Sequence, residues 1–450
     1  MMLKHRKNVY HHRSSAGDFL LNQAKPPAAG KASDQNALTE PIELSEKFPG
    51  FLTGRDFIEH AAEFLQTPRT FAAMAIRIDG FAPDSEPQNI RINPETIIHT
   101  ACAVNSICRP DLDLWGRLNR YTFAAFLTGK NSASALKTAD LIRQYMTQHG
   151  SETVSIGIAA YPTVNYPKEL ILENARKALD HASFYGHDSV TDFDATSLNI
   201  SGDKFYQNGD IHGAVKEYET ALMIDPDNVN VHNSLGVCYG ELNRLTDAQN
   251  EFEEAVRLDG NEIMALYNAG LIHMMSDNFE QAFRYFQQAE NIEKNIFELK
   301  FQIAQLYIKT GQADKAVPYL KQALDIKPES APTYRYLGEA YIALKLLDRA
   351  VSAYKKAIKI NPNDADSLSA LSRLFDLRGE NPEIVIMFCK KSIELSPSNG
   401  LFRYRLGGLY FKHNQPEKAL HELKTAVDLG YETAADLISQ IQAQHDESKT

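Results

Sequence analysis

The stretch Tyr334-Arg-Tyr-Leu-Gly-Glu-Ala-Tyr341, with Ala350, Tyr354, Ala357 and Pro362 behind it, decides the fold of more than half of the chain. Laid out from Ala195 at a period of 34, its pattern recurs: the eighth position holds Gly202, Gly236, Gly270, Ala304 and Gly338, and the twentieth holds Ala214, Ala248, Ala282, Ala316 and Ala350. The twenty-seventh holds Ala221, Ala255, Ala289, Ala323 and Ala357, and aromatics or leucine recur at the eleventh and twenty-fourth. Two antiparallel helices approach closely only where side chains are small, so glycine and alanine mark a crossing and the large residues fill the space beside it. Pro226, Pro328 and Pro362 fall where a helix has ended, since a missing N–H and a fixed φ stop its continuation.

This unit resembles the tetratricopeptide repeat. A sixth copy (365 to about 399) has one extra residue and places Ile384 where alanine is expected, while a seventh returns to pattern with Leu406, Gly407, Tyr410, Ala419, Leu423 and Ala426. Seven copies over 195–433 predict an all-α solenoid, and Ala434, Leu437, Ile438 and Ile441 predict a helix within 434–450 that covers the last unit. In this family, positions 2, 5, 6, 9, 12 and 13 of each first helix line an inner groove. They include Asn233, Tyr267, Asn268, Gln302, Gln305, Arg335, Tyr336, Arg373, Tyr404 and Arg405. Amides and aromatics there suit a protein or peptide partner, and the arginines favour an acidic segment or a C-terminal carboxylate. Asn268 and Arg335 are expected on the exposed face, where alanine weakens capture of the partner without lowering stability.

Composition narrows what the rest can be. With 450 residues, 43% of them hydrophobic, two or three domains with ordinary cores are expected. No run reaches the roughly 18 apolar residues of a membrane span, the first residues are polar and basic, and a soluble cytoplasmic protein is expected. A formal charge of -11 argues against nucleic-acid binding. Cys102, Cys108, Cys238 and Cys389 form no CxxC pair and are expected as small core residues, so no disulfide, metal or cofactor is implied. Residues 1–46, with Lys4, Arg6, Lys7 and Arg13, lack periodicity and are expected to be disordered, and His5, His11 and His12 there lack a metal geometry.

Between 47 and 194 the period changes. Strand-like runs (71–78, 121–127, 154–161) alternate with helical patterns (57–65, 97–107, 134–149, 170–185), which predicts an α+β sandwich of the ferredoxin-like type in a mainly α chain. Leu52-Thr-Gly54, Ile78-Asp-Gly-Phe81, Val154-Ser-Ile-Gly-Ile-Ala-Ala-Tyr-Pro162 and Ala175-Arg-Lys-Ala-Leu-Asp-His-Ala182 with Gly186 resemble the landmarks of the GGDEF domain, the diguanylate cyclase family. The resemblance implies a bacterial signalling domain, and in an active member a homodimer that condenses two GTP into cyclic di-GMP with Mg²⁺ held by carboxylates.

Carried over residue by residue, those groups are replaced. The first metal aspartate falls on Arg77, the guanine-reading asparagine on Ser85, a further aspartate on Pro94, and the signature turn on Asn119, Arg120, Tyr121, Thr122 and Phe123. The phosphate-contacting Lys and Arg fall on Ser183 and His187, and the product site on Asp111 and Leu114. A cation at Arg77 repels a metal. Arg77, Asp79 and Arg120 remain as residues that could hold a nucleotide without one; otherwise the arginines pair with Asp79 or face solvent, and Asp79 caps a turn. The expectation is a non-catalytic adaptor whose repeat array binds a peptide, with a pseudo-cyclase domain for sensing or interaction. The alternative is a diguanylate cyclase or a guanine-nucleotide or cyclic di-GMP receptor.

Overall fold

The structure, a computed structural model, describes residues 42–67, 69–80, 93–150 and 152–447. The histidines and cations expected in the N-terminal tail, and Ser85, lie outside these residues. The chain divides into two compact units, Met1–Ile272 and His273–Thr450.

The first unit begins with α1 (Ile42–Lys47), β1 (Leu52–Thr53), α2 (Gly54–Phe64), β2 (Phe71–Ile78), α3 (Pro94–Ile107), β3 (Leu114–Arg117), β4 (Thr122–Thr128), α4 (Ser132–His149), β5 (Val154–Tyr161), α5 (Ile171–Ala182) and β6 (Val190–Asp192). The strands form one mixed sheet in the order β1-β3-β4-β2-β5-β6. β2 runs antiparallel to both β4 and β5, while β1 pairs with β3 and β5 with β6 in parallel. β2 reads FAAMAIRI, almost continuously apolar, because both of its faces are covered. Ala72, Met74, Ile76 and Ile78 join a core that includes α3 and α4, and Phe71, Ala73 and Ala75 join a second core that includes α2 and α5. On that second face Gly157 of β5 lets α5 touch the sheet, since a Cβ there would lie 2.1 Å from the Ala175 carbonyl oxygen and the Leu179 nitrogen.

The pattern of apolar runs located β2, β4, β5 and the four long helices to within a few residues of their observed ends. It missed β1, β3 and β6, which have 2, 4 and 3 residues and are too short to show alternation. The cysteine expectation is corrected in part: Cys238 and Cys389 are buried, whereas Cys102 and Cys108 are half-exposed.

Helix pairs follow in the same unit: α6 (Ala195–Gln207) with α7 (Ile211–Ile224), α8 (Val229–Glu241) with α9 (Leu245–Leu258), and α10 (Ile263–Met275), within which the unit boundary falls. The sheet and the first pair are joined through α5. Lys177 Nζ lies 2.7 Å from Glu217 of α7, with both side chains 13% exposed. Asp180 accepts from Lys204 of α6 at 2.6 Å, and the His181 ring lies 3.4 Å from Asp194 and 3.3 Å from Ser197, the residues that build the capping box of α6.

The second unit continues with α11 (Phe279–Ile292), α12 (Phe297–Lys309), α13 (Ala313–Ile326), α14 (Ala331–Ala343), α15 (Leu347–Ile360), α16 (Ala365–Leu377), α17 (Pro382–Leu395), α18 (Gly400–Lys412), α19 (Pro416–Asp428) and α20 (Ala434–Glu447). Within a pair, a Cβ on Gly202, Gly236 or Gly338 would come within 2.4, 2.6 or 2.7 Å of Tyr218, Phe252 or Tyr354, so glycine at the eighth position is what seats the aromatic at the twenty-fourth. α20 buries Ala434 and Ile441, with Leu437 and Ile438 partly covered, as a covering helix requires.

The sixth copy departs from expectation in an informative way. Its extra residue lies in the turn between α16 and α17, so Val385, and not Ile384, takes the alanine slot. Val385 is 1% exposed and Ile384 is 43% exposed. At that crossing Ser372 replaces glycine and Cys389 replaces the aromatic, so volume gained on one helix is given up on the other, and the Ser372 hydroxyl donates to the Val385 carbonyl at 3.0 Å.

Candidate functional site

The residues expected to line a groove behave differently in the two units. In the first, Asn233, Tyr267 and Asn268 are 4%, 4% and 0% exposed, and the Asn268 amide donates to Asn233 Oδ1 at 2.9 Å. The expected exposed position of Asn268 is therefore corrected: successive first helices approach closely, and the two amides bond to each other. Asn268→Ala is expected to lower stability by about 1–3 kcal/mol, the cost of stranding a buried partner, which a urea melt measures.

A second buried polar link in this unit is His232 of α8. Its Nδ1 lies 2.6 Å from Glu251 and its Nε2 2.8 Å from the Pro226 carbonyl, so both nitrogens face acceptors and only the protonated ring satisfies both. Burial pulls its pKa down, but the Glu251 and Pro226 hydrogen bonds and the charges of Glu251 and Glu254 outweigh that and leave it raised. A raised folded value means the stabilisation is fully present below the unfolded pKa of about 6.5 and is lost as pH rises through the folded value. The stability difference between wild type and His232→Gln is accordingly expected to be larger at pH 6 than at pH 9.

In the second unit the corresponding first-helix residues are accessible. Gln302 and Gln305 of α12, Arg335 and Tyr336 of α14, and Tyr404 and Arg405 of α18 are half-buried, and Arg373 of α16 is exposed. Tyr336 stacks edge-on against Phe301 with centroids 5.3 Å apart, and Tyr404 lies 5.1 Å from Tyr431. Arg335 is already neutralised, since it donates to Asp366 at 2.7 Å and lies 3.9 Å from Asp364. Burial works against its charge, but these two acids outweigh it and hold its pKa up.

Arg405 is different. It reaches across to α16 and donates to the Ser369 hydroxyl at 2.6 Å, one helical turn from Arg373. Burial, followed by the charge of Arg373, lowers its pKa. Among the described residues neither arginine has an acidic hydrogen-bonding partner, so the pair presents uncompensated positive charge. A further residue of this face is Glu339, at the ninth position of α14, whose carboxyl pKa is raised by burial despite Arg335. The same helical period marks it in the sequence.

In the sheet, Arg77 stands near the end of β2 opposite Thr122 and Ser155. Its guanidinium donates to Ser183 Oγ at 2.6 Å and lies 3.9 Å from Asp180, so its partner is Asp180 and not Asp79. Asp79 accepts from Thr153 Oγ1 and Ser155 Oγ, both at 2.6 Å, and from the Asp188 N–H at 2.7 Å, which ties the ends of β2 and β5 to the segment before β6. The β3–β4 turn is held without glycine: Asn119 Oδ1 accepts from the Tyr121 N–H at 3.0 Å and the buried Arg117 donates to the Arg120 carbonyl at 2.7 Å. Arg120 lies 6.0 Å from the Tyr121 ring. Among the described residues no group of three His, Cys, Asp or Glu side chains is placed to hold a metal ion.

Paired antiparallel helices with small residues at each crossing define a helical-repeat protein. Family models described as TPR repeat and tetratricopeptide repeat match residues 202–243, 239–295 and 311–374, and the chain is a tetratricopeptide repeat protein over these segments. Solved structures similar to it include the MamA protein (29% identity, 38% of this chain and 93% of that chain, TM-score 0.35). Others are a tetratricopeptide repeat protein from Parabacteroides merdae ATCC 43184 (17%, 55% and 98%, 0.46) and YrrB, a TPR protein with an unusual peptide-binding site (19%, 41% and 95%, 0.36). No curated protein sequence matches the chain. The N-terminal part is a small α/β domain with a mixed sheet, and no helix among the described residues is long and apolar enough to cross a membrane.

Proposed function

We propose that the protein is a non-catalytic interaction adaptor whose second unit binds an acidic peptide segment across the first helices α14, α16 and α18. The observation that carries this reading is the Arg373–Arg405 pair: Arg405, partly desolvated, donates to the Ser369 hydroxyl one turn from Arg373 on α16, and among the described residues neither arginine hydrogen-bonds an acid. An incoming carboxylate would take both in charge-assisted hydrogen bonds. Tyr336 and Tyr404 add apolar area at small entropic cost, and Gln302 and Gln305 offer donors and acceptors to an extended backbone. The α/β domain is read as a degenerate GGDEF domain. Supporting that, the position of the family's metal ligand carries Arg77, which is held by Ser183 and Asp180 inside the chain.

The test uses the full chain and two fluorescent ten-residue peptides, one rich in Asp and Glu and one in Asn and Gln. Arg373→Glu with Arg405→Glu is expected to weaken the acidic peptide at least 100-fold, at about 1.5 kcal/mol or more for each charged contact, and to leave the neutral one unchanged. Equal binding of the two peptides to wild type removes the assignment. No cyclic di-GMP is expected from GTP with Mg²⁺ or Mn²⁺; product that disappears on Asp79→Asn would overturn the pseudo-enzyme reading.

A further inference from the structure

At two positions on the second helices of the repeats, every copy but one carries polar side chains, glycine or proline. Immediately before the small-residue slot, and two residues after it, stand Gly213 and Lys216, Asp247 and Asn250, Gln281 and Arg284, Lys315 and Pro318, Arg349 and Ser352, and Lys418 and His421. With the register of α17 set by Val385, the same two positions in the sixth copy are Ile384 and Met387, which are 43% and 55% exposed. Placing two large apolar side chains in water at the sites where the other copies have polar or small ones gains nothing for folding. It is what an interaction surface requires.

Beside this stripe runs a groove of about 520 Å³ between α17 and the start of α19, floored by Ile386, Met387 and Tyr410. Its rim carries Lys390, Lys391 and Lys418 together with Glu383 and Glu394. Lys391 is spent on Glu394 at 2.9 Å, whereas Lys418 reaches only the Gln415 amide oxygen and the face of Tyr410, and Lys390 has no acidic partner among the described residues. An apolar floor along a helix, flanked by two uncommitted ammonium groups against the single carboxylate of Glu383 that is unpaired among the described residues, keeps a positive excess and complements a helix whose apolar side chains recur at three- and four-residue spacing between carboxylates. Methionine in the floor adapts to different side-chain shapes.

We propose that α17 and the start of α19 form a second docking surface, which takes an acidic amphipathic helix of a partner protein. It is independent of the Arg373–Arg405 site, because none of its lining residues is Arg373, Arg405 or Ser369 and it depends on an apolar floor. The experiment uses the full chain and two labelled synthetic helices of the same leucine stripe, one with Glu and one with Lys at the polar positions, read by fluorescence anisotropy. The Glu helix is expected to bind and the Lys helix not. Met387→Glu should weaken it at least tenfold, and Lys390→Glu with Lys418→Glu by a similar factor, while Arg373→Glu leaves it unchanged. Met387 is exposed, so these variants are expected to keep the wild-type circular dichroism spectrum and melt. Equal binding of both helices, no binding of either, or insensitivity to Met387→Glu overturns the proposal. So does sedimentation showing that wild type dimerises and Met387→Glu does not, which would assign the face to a second copy of this chain.

Discussion

Gly157→Ala is expected to lower the stability of the first unit by about 3 kcal/mol, the upper end of the usual range for an overpacked core. The reason is that the added methyl would sit 2.1 Å from two backbone atoms of α5, the Ala175 oxygen and the Leu179 nitrogen, and 2.7 Å from the Leu179 Cα. A side chain could rotate away, but helix backbone cannot, so α5 must lift from the sheet. Its buried residues Ile171, Ala175 and Leu179, together with their partners in β2 and β5, would then lose contact. Gly260→Ala is the control, because its new methyl would meet only the Val256 oxygen at 3.8 Å, an ordinary contact. Urea melts followed by near-ultraviolet circular dichroism should place Gly260→Ala within about 0.5 kcal/mol of wild type. Equal midpoints for the two variants would falsify the close approach of α5.

Breaking the link between Lys177 and Glu217 is expected to cost about 3 kcal/mol from either side, and replacing both residues much less. The ammonium group lies 2.8 and 2.7 Å from the two carboxylate oxygens, and both side chains are 13% exposed. Removing one partner leaves a charge largely out of water, whereas exchanging both for apolar residues removes the desolvation cost together with the attraction. In a double-mutant cycle of Lys177→Met and Glu217→Leu, the double variant should therefore be more stable than either single variant. The pair connects α5, which lies on the sheet, to α7 in the first repeat. If the two single losses simply add, Lys177 and Glu217 do not act as a pair, and the sheet and first repeat are held by the remaining contacts, among them Asp180 with Lys204 and His181 with Ser197.

The Lys177–Glu217 pair belongs to a junction that leaves no mark in the spacing of residues. Composition and periodicity change at 194/195, yet the compact units do not divide there. The contacts that join sheet to repeat are single long-range pairs, Lys177 with Glu217 and Asp180 with Lys204, and a pair separated by tens of residues leaves no periodic trace. Local register, by contrast, is written in the spacing, which is why the crossing glycines Gly202, Gly236 and Gly338 are legible in the sequence.

The candidate sites divide in the same way. That Arg373 and Arg405 lie on first-helix faces follows from the 34-residue period, but that Arg335 is neutralised by Asp366 while those two are not depends on where side chains end across neighbouring helices. Likewise Asn268 sits at a position the repeat assigns to the inner face, and only the close approach of successive helices buries it against Asn233. The sequence by itself determined the element types, the repeat length and the small residues at each crossing, because these obey periods of 2, 3.6 and 34 that adjacent residues reveal. Tertiary structure alone decided which charges are paired, which polar groups are buried and where the extra residue of the sixth copy is absorbed. These depend on distances between residues far apart in the chain, and a shift of one position in a turn exposes Ile384 and buries Val385.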